Sequence, residues 1–232
     1  IMHYGDSQLE MDRISANLRE ALQGRFGGSG PGMVPMIQRI PTVSLSQWFS
    51  GGVTRYAMVG DSLTRKASHH RYGPLTQMCT VYGHSTFSFR RTKNRYAQKR
   101  SRSISRVSVL MGQFNPGFSA TLKCDTLPPV RQQPDSGDVA LISWDLPHDV
   151  ESGTISFDGR AEIYGIMLDG KGGVTVDNVA LRGSGGLIFS SIAPEVMEEG
   201  FREMNTRLVI LQFGGNAMPG IRSGKGISAY VR

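Results

Sequence analysis

A serine hydroxyl stands near the start of this chain, in a place where it could act as a nucleophile. Gly5-Asp6-Ser7 follows a short apolar run, residues 1–4, and precedes an amphipathic stretch, residues 8–23, whose apolar side chains recur every three or four positions. That spacing predicts a helix, so Ser7 is predicted on a turn between a strand and a helix. The first N–H groups of a helix lack internal partners and its dipole is positive there, so negative charge beside Ser7 would be stabilised.

An asparagine far along the sequence could supply a hydrogen-bond donor for the same reaction. Residues 208–211 form a continuous apolar run, which is typical of a strand covered on both faces in a parallel sheet. The run leads through Gly214 and Gly215 to Asn216. Ligands bind at the carboxyl ends of parallel strands, so we expect Asn216 to project into the crevice that holds Ser7. Its amide could donate to the oxyanion that forms when an ester is attacked.

A serine nucleophile also needs a base within hydrogen-bond reach. Asp145-Leu146-Pro147-His148 has suitable residue types, but a polar turn after a strand is the favoured interpretation. His3, beside the serine turn, is expected to pack against the sheet. A second serine, in Gly60-Asp61-Ser62-Leu63, precedes residues 64–72, which have no apolar stripe and predict no helix. Ser7 is therefore the preferred nucleophile.

The pattern of predicted elements changes twice along the chain. Residues 1–51 contain the strand, turn and helix with a Gly/Pro-rich exit, and residues 52–170 contain short alternating runs between turn residues. Such runs are typical of an antiparallel β-sandwich. Residues 171–232 return to an α/β pattern, with a predicted strand at 173–181 and a helix at 194–204. We therefore predict one α/β domain, residues 1–51 and 171–232, interrupted by an inserted sandwich at residues 52–170. The strands predicted within the insert are residues 80–82, 86–89, 104–110, 120–122, 139–144, 154–157 and 161–168.

Charge is concentrated in the middle of the sequence. The 232 residues carry a net charge of +7, and 39% of them are hydrophobic, which suits a folded protein. Residues 62–124 contain twelve Lys or Arg and no Asp or Glu. A solvated strand face is the favoured interpretation of this basic segment, with attraction to anionic cell-surface glycans second. Nucleic-acid binding is least favoured, because no nucleic-acid-binding motif accompanies the charge.

Cysteine and histidine spacing predicts no metal site. Cys79 and Cys124 lack C-x-x-C spacing, and both a disulfide and two buried thiols remain open for them. His69, His70 and His84 lie in the segment without carboxylates, so no metal or other cofactor is expected. No run approaches the roughly 18 to 20 continuous apolar residues that a membrane-spanning helix needs.

Three short blocks, each after a predicted strand, resemble the first three sequence blocks of the SGNH (GDSL-like) hydrolases. Further stretches are similar to a branch of secreted bacterial acylhydrolases that carry an inserted β-sandwich, some of which remove O-acetyl groups from peptidoglycan or other cell-wall sugars. The three blocks are Gly5-Asp6-Ser7, Gly183-Ser184-Gly185-Gly186 and Gly214-Gly215-Asn216, and the further stretches are residues 25–28, 176–178 and 211–216.

The resemblance implies a fold and a set of roles. The fold would be a three-layer, flavodoxin-like parallel α/β sheet, incomplete in this chain, with the inserted antiparallel sandwich. Ser7 would be the nucleophile and its N–H one oxyanion donor; Gly183, with Gly185 as the fallback, would give a second N–H, and Asn216 a side-chain amide. The family's base and its orienting acid come from an Asp-x-x-His block after the asparagine, and the sequence up to Arg232 contains none there. We therefore expect the histidine and aspartate outside this chain, in a remaining C-terminal part of the catalytic domain.

The function implied is hydrolysis of acyl esters, most simply O-acetyl esters, on a carbohydrate or cell-wall substrate, without a cofactor. The compartment implied is the bacterial envelope: periplasm, cell surface or exterior. The alternative is a binding or structural protein that keeps the hydrolase scaffold and uses the basic insert as its working surface.

Overall fold

The computed structural model describes residues 1–125, 127–218 and 228, and within them it contains two β-sheets and two α-helices. One sheet has three parallel strands and the other has nine strands that pair antiparallel. The helices are α1 (Ser15–Phe26) and α2 (Pro194–Glu203). Short 3₁₀ helices occupy Ser7–Asp12, Arg100–Arg102 and Leu187–Ser191.

The parallel sheet brings together three strands that are distant in the sequence. Its central strand is β1 (Met2–Gly5), which pairs with β11 (Asp177–Ala180) on one side and β12 (Val209–Gln212) on the other. All of β1 is buried, as expected for a central strand. By contrast, β12 is partly exposed, and Leu211 retains 63% of its accessible surface.

The predicted helix over residues 8–23 is interrupted. Glu10 has an extended backbone and Met11 a positive φ of 61°, so the chain forms a 3₁₀ turn first and α1 begins only at Ser15. The predicted helix over residues 194–204 matches α2 closely, and its proline occupies the first turn, where no backbone N–H is needed.

The antiparallel sheet makes up most of the described chain. Its strands follow the order β7-β6-β9-β4-β10-β5-β8, with β2 beside β10 and β3 beside β4. Apolar side chains from eight of its strands, including Phe87, Val109, Leu122, Ile142 and Phe157, form one continuous core. The strands are β2 (Gly32–Val34), β3 (Leu45–Ala57), β4 (Gln77–Arg91), β5 (Arg106–Gly112), β6 (Ser119–Cys124), β7 (Val130–Gln132), β8 (Val139–Asp145), β9 (Ser152–Asp158) and β10 (Ala161–Asp169).

A second apolar cluster joins the two sheets. Met2 and Tyr4 of β1 share it with Tyr164 and Met167 of β10 and with Val196 of α2. The Tyr4 hydroxyl donates to the carbonyl of Pro74 at 2.7 Å, so its buried polar atom is satisfied. The parallel sheet is thus packed directly against the antiparallel one.

The predicted three-layer, flavodoxin-like α/β fold is wrong. Among the described residues only three short strands pair in parallel. The face of β1 that carries Met2 and Tyr4 is covered jointly by α2 and by the antiparallel sheet, where that fold needs a full layer of helices. Short strands joined by turns favour antiparallel pairing, and such strands outnumber the predicted parallel strands in this sequence. The division into an α/β domain, residues 1–51 and 171–232, and an insert, residues 52–170, stays a prediction. The strand β3 runs across the boundary at residues 51 and 52, and β2 of the first part pairs with β10 of the insert.

Both cysteine side chains are free thiols in the apolar core. Burial raises the pKa of Cys79 to about 12 and that of Cys124 to about 12, because the thiolate would be poorly solvated. Neither is reactive at neutral pH. Among the described residues, the helices are too short and too polar to cross a membrane.

Candidate active site

Three loops meet where the parallel strands end. The chain leaves β1 into Asp6 and Ser7, leaves β11 into a turn over residues 182–186, and leaves β12 into residues 213–217. Because neighbouring parallel strands end at the same edge of a sheet, the three predicted blocks come together in space. The predicted site residues Ser7, Gly183 and Asn216 all belong to these loops.

Asn216 ties the three loops to one another. Its Nδ2 donates to Asp6 Oδ2 at 3.1 Å and to the carbonyl of Ser184 at 3.3 Å. Asp6 is buried, and its other carboxylate oxygen accepts from the backbone N–H of Gln8 at 2.9 Å. The amide is therefore held against the residue that precedes the candidate nucleophile, 210 positions away in the chain.

Ser7 is the predicted nucleophile. Ser7 is half-buried, and its hydroxyl has no hydrogen-bond partner among the described residues. It lines a hollow of about 380 Å³ together with Gln8, Glu10, Arg13 and Arg182. The structure corrects one expectation: Ser7 begins a short 3₁₀ segment, Ser7–Asp12, that is interrupted at Glu10 and Met11, so the dipole of a long helix is not aimed at Ser7. Stabilisation of an anion here depends on individual N–H donors.

Gly183 is the residue predicted to give the second N–H donor. It sits in the exposed turn after β11 with a φ of +75°, which favours glycine, and a Cβ added to it would meet no atom within 4 Å. No described group accepts from its N–H. Gly185, the fallback, is half-buried and lies near Ala217.

An ion pair that the sequence analysis missed links the serine turn to the glycine turn. The Arg182 guanidinium donates through Nε and one terminal nitrogen to the two carboxylate oxygens of Glu10, each at 2.6 Å. The Glu10 side chain is 7% exposed and that of Arg182 69%, and this bonding raises the pKa of Arg182 above its usual value. Glu10 reaches this position because its backbone leaves the helical conformation. No local sequence signal announces that break.

A second, larger cleft lies on the far side of this ion pair. It has a volume of about 600 Å³ and shares Glu10 and Arg182 with the hollow around Ser7. Its other polar lining residues are Gln38, Arg39, Arg55, Asp61, Thr76, Gln77 and Asn178. The cleft can accommodate a polar ligand that extends beyond the serine.

A buried ion pair holds the serine loop onto α1. Arg19 of α1 donates to both carboxylate oxygens of Asp12, at 2.7 and 3.1 Å, and the two side chains are 1% and 4% exposed. Asp12 also accepts from the Ser44 hydroxyl, and Arg19 donates to the carbonyl of Val176, just before β11. The loop after β1 and the start of β11 are thus fixed by one network.

The two histidines considered as possible bases, His3 and His148, do not bond to Ser7. His3 Nδ1 bonds with Ser15 and its Nε2 with Gln212, and burial lowers the pKa of His3. His148 is exposed on the turn after β8, and the neighbouring Asp145 pairs with Arg106 instead. Across the part of the chain that the structure describes, no histidine bonds to Ser7.

The alternative serine, Ser62, is exposed on a turn where Asp61 pairs with Arg39. Within the described residues, no cluster of three His, Cys, Asp or Glu side chains could hold a metal ion.

A solved structure described as a peptidoglycan O-acetylesterase in action, at 5 min, is similar to this chain over 99% of its length, with a TM-score of 0.65 and 17% identity. The chain shares that esterase's fold. It spans 60% of the length of the esterase. A family two carbohydrate esterase from Cellvibrio japonicus matches over 57% of this chain and 36% of its own, at 11% identity and a TM-score of 0.27, which is too low to support an argument. No protein-family model and no curated protein sequence matches the chain.

Proposed function

We propose that this chain carries the nucleophile and oxyanion donors of an SGNH-type serine esterase. The observation on which the proposal rests is the hydrogen bond from the Asn216 amide to Asp6, the residue before Ser7, across 210 positions of sequence. The unbonded Ser7 hydroxyl, in an open hollow, supports the same assignment. The fold shared with a peptidoglycan O-acetylesterase adds to this support.

The reaction requires a nucleophile, a base with its orienting acid, and donors for the oxyanion. Ser7 Oγ attacks the carbonyl carbon of the ester and gives its proton to a base, while the carbonyl oxygen becomes an oxyanion. The N–H groups of Ser7 and Gly183 and the amide of Asn216 donate to that oxyanion, which lowers the barrier. The alcohol leaves with a proton from the base, and water then releases the acyl group from Ser7. We assign the base and its orienting acid to a histidine and an aspartate outside the described residues.

Asn216 must exchange one partner during this reaction. Both hydrogens of its amide are engaged, with Asp6 and with Ser184. The carbonyl oxygen of Ser184 is a neutral acceptor at the longer distance, so its bond is the one we expect the oxyanion to replace. The bond to Asp6 then keeps the amide in place.

We propose an O-acetylated carbohydrate of the bacterial envelope as the substrate. The structural neighbour acts on peptidoglycan according to its description, and the polar cleft beside the Ser7 hollow has room for several sugar hydroxyl partners. The enzyme would then work in the periplasm, at the cell surface or outside the cell, and its chemistry requires no cofactor.

A fluorophosphonate probe tests the nucleophile. We expect the full-length protein to be labelled at Ser7, and Ser7→Ala to abolish both labelling and hydrolysis of 4-nitrophenyl acetate. Ser62→Ala, which changes the other Gly-Asp-Ser serine, is the matched control and should behave as wild type. Asn216→Ala should keep the fold and lower kcat about 10²- to 10³-fold, the usual loss for one oxyanion donor. Labelling of the Ser7→Ala protein would overturn the assignment.

One observation favours the alternative of a binding protein on this scaffold. Arg90, Arg91, Lys93 and Arg102 line a hollow of about 320 Å³ in which Glu151 is the lining acid. Such a basic hollow could bind anionic glycans without any hydrolysis. Salt-sensitive glycan binding by a protein that the probe never labels would establish this alternative.

A further inference from the structure

The cleft beside the Ser7 hollow contains one more cation than it contains carboxylates. Its charged lining residues are Glu10, Asp61, Arg39, Arg55 and Arg182. Glu10 pairs with Arg182, and Asp61 pairs with Arg39 at 3.0 Å. Both carboxylates are thereby occupied, and Arg55 is left without one.

Arg55 is held in position by a single neutral partner. It lies on β3, partly buried, and its Nε donates to Gln77 Oε1 at 2.7 Å. Among the described residues, no acceptor is assigned to its two terminal nitrogens. Burial lowers the pKa of Arg55, because water is partly excluded from the guanidinium; Arg39 also lowers this pKa, while Cys79 and the carboxylate of Asp61 act in the opposite direction without reversing the shift. A cation in this state gains from any anion that reaches it.

We propose that Arg55 binds a carboxylate of the glycan substrate. The proposal rests on the esterase function proposed above and names the substrate as an acidic one. A guanidinium whose Nε is fixed still presents two coplanar donors, which match the two oxygens of a carboxylate.

The position of the cleft fits an extended substrate. Glu10 and Arg182 form the boundary between it and the Ser7 hollow, so a glycan with its ester at Ser7 would place a neighbouring unit in the cleft. Gln38, Thr76 and Asn178 line the same cleft and can bond sugar hydroxyls. The carboxylate could sit on the sugar ring or on an amino acid linked to it, and the shared chemistry is the carboxylate itself.

The test compares each acidic substrate with its uncharged amide. O-acetylated oligogalacturonate carries its carboxylate on the ring, and O-acetylated muramyl dipeptide carries it on a linked peptide; the carboxamide form of each removes only the charge. We expect the wild-type protein to show a ten- to hundred-fold higher kcat/KM for at least one acid than for its amide, the usual gain from a charged hydrogen bond. In Arg55→Gln this ratio should fall towards one. Arg131→Gln, which removes an exposed arginine on β7, should keep the wild-type ratio.

The outcomes separate the two proposals. If fluorophosphonate labels Ser7 but the wild-type protein does not distinguish acid from amide, Arg55 has no such role and the esterase proposal stands. If Ser7 is not labelled, calorimetry still measures the affinity of the protein for unacetylated oligogalacturonate and for its amide. Equal affinities for the two would overturn the inference. The wild-type comparison decides the matter even if Arg55→Gln does not fold.

Discussion

The two sheets of this protein use charge in opposite ways. Around the parallel sheet, Asp12 and Arg19 pair with side chains that are 4% and 1% exposed, and Glu10 is nearly as buried. On the antiparallel sheet the ion pair of Arg106 with Asp145 is 39% and 55% exposed. The antiparallel sheet is organised around an apolar core, and its arginine–carboxylate pairs lie at the surface, although Glu162 of β10 is buried beside His69.

The difference shows where precise placement of groups is needed. Burying an ion pair costs desolvation energy that the pairing roughly offsets, so such pairs add little net stability. They do fix direction, since a guanidinium and a carboxylate bond in few geometries. The buried pair of Asp12 with Arg19 holds the loop that carries Ser7, and the buried carboxylate of Glu10 binds the exposed Arg182 beside Gly183; we interpret both pairs as positioning devices.

Arg19→Met gives the largest expected effect. It leaves Asp12 buried without a cation, which should lower the free energy of unfolding by about 3–5 kcal/mol. Urea denaturation monitored by circular dichroism measures it. A loss below about 1 kcal/mol, typical of a surface pair, would remove the contrast between the sheets.

Gly153→Ala tests the apolar core of the antiparallel sheet. A Cβ at this position in β9 would lie 2.6 Å from Cys124 Sγ and 2.6 Å from the ring of Phe89. Overpacking of this kind should lower stability by about 1–3 kcal/mol without affecting labelling of Ser7. Wild-type stability in thermal melts would mean that this core is loosely packed.

Arg106→Gln gives the smallest effect. Its bonds to Asp145 raise the pKa of Arg106, but both side chains are exposed, so the loss should be about 0–1 kcal/mol and should shrink in high salt. Denaturation at low and high salt measures both features. A salt-insensitive loss as large as that of Arg19→Met would contradict the comparison.

Local patterns predicted the separate elements well. The predicted strands at 139–144 and 154–157 fall within β8 and β9, and the apolar run at 208–211 nearly coincides with β12. The strand β3 was missed, because it contains Gly51 and Gly52, which ordinarily mark a turn. The strand nevertheless pairs with β4 on both sides of these glycines, and the register of pairing shifts between them.

Assembly of the elements was less predictable. A continuous apolar run at 208–211 favours a strand covered on both faces, yet Leu208 and Leu211 are 49% and 63% exposed. The prediction of a complete α/β fold rests on the family resemblance and on three short strands, and the described residues place only those three strands in a parallel sheet. Sequence patterns report which residues prefer burial, but they do not specify how many strands share a sheet.

The candidate site divides in the same way. The turns with Ser7, Gly183 and Asn216 were recognisable because glycine and short polar residues mark strand ends. The pair of Glu10 with Arg182 spans 172 positions, and the position of Arg55 depends on the β3–β4 pairing. Contacts of that range leave no periodic trace in a single sequence.

The topology of β1 also sets an order of events during synthesis. Both strands that flank β1 are made more than 170 residues after it, since Met2 pairs with Asp177 and Val209. At about 5–20 residues per second, Asn216 follows Ser7 out of the ribosome after roughly 10–40 seconds. During that interval β1 has neither of its neighbouring strands, so the loops around Ser7 cannot assemble until β11 and β12 have been made.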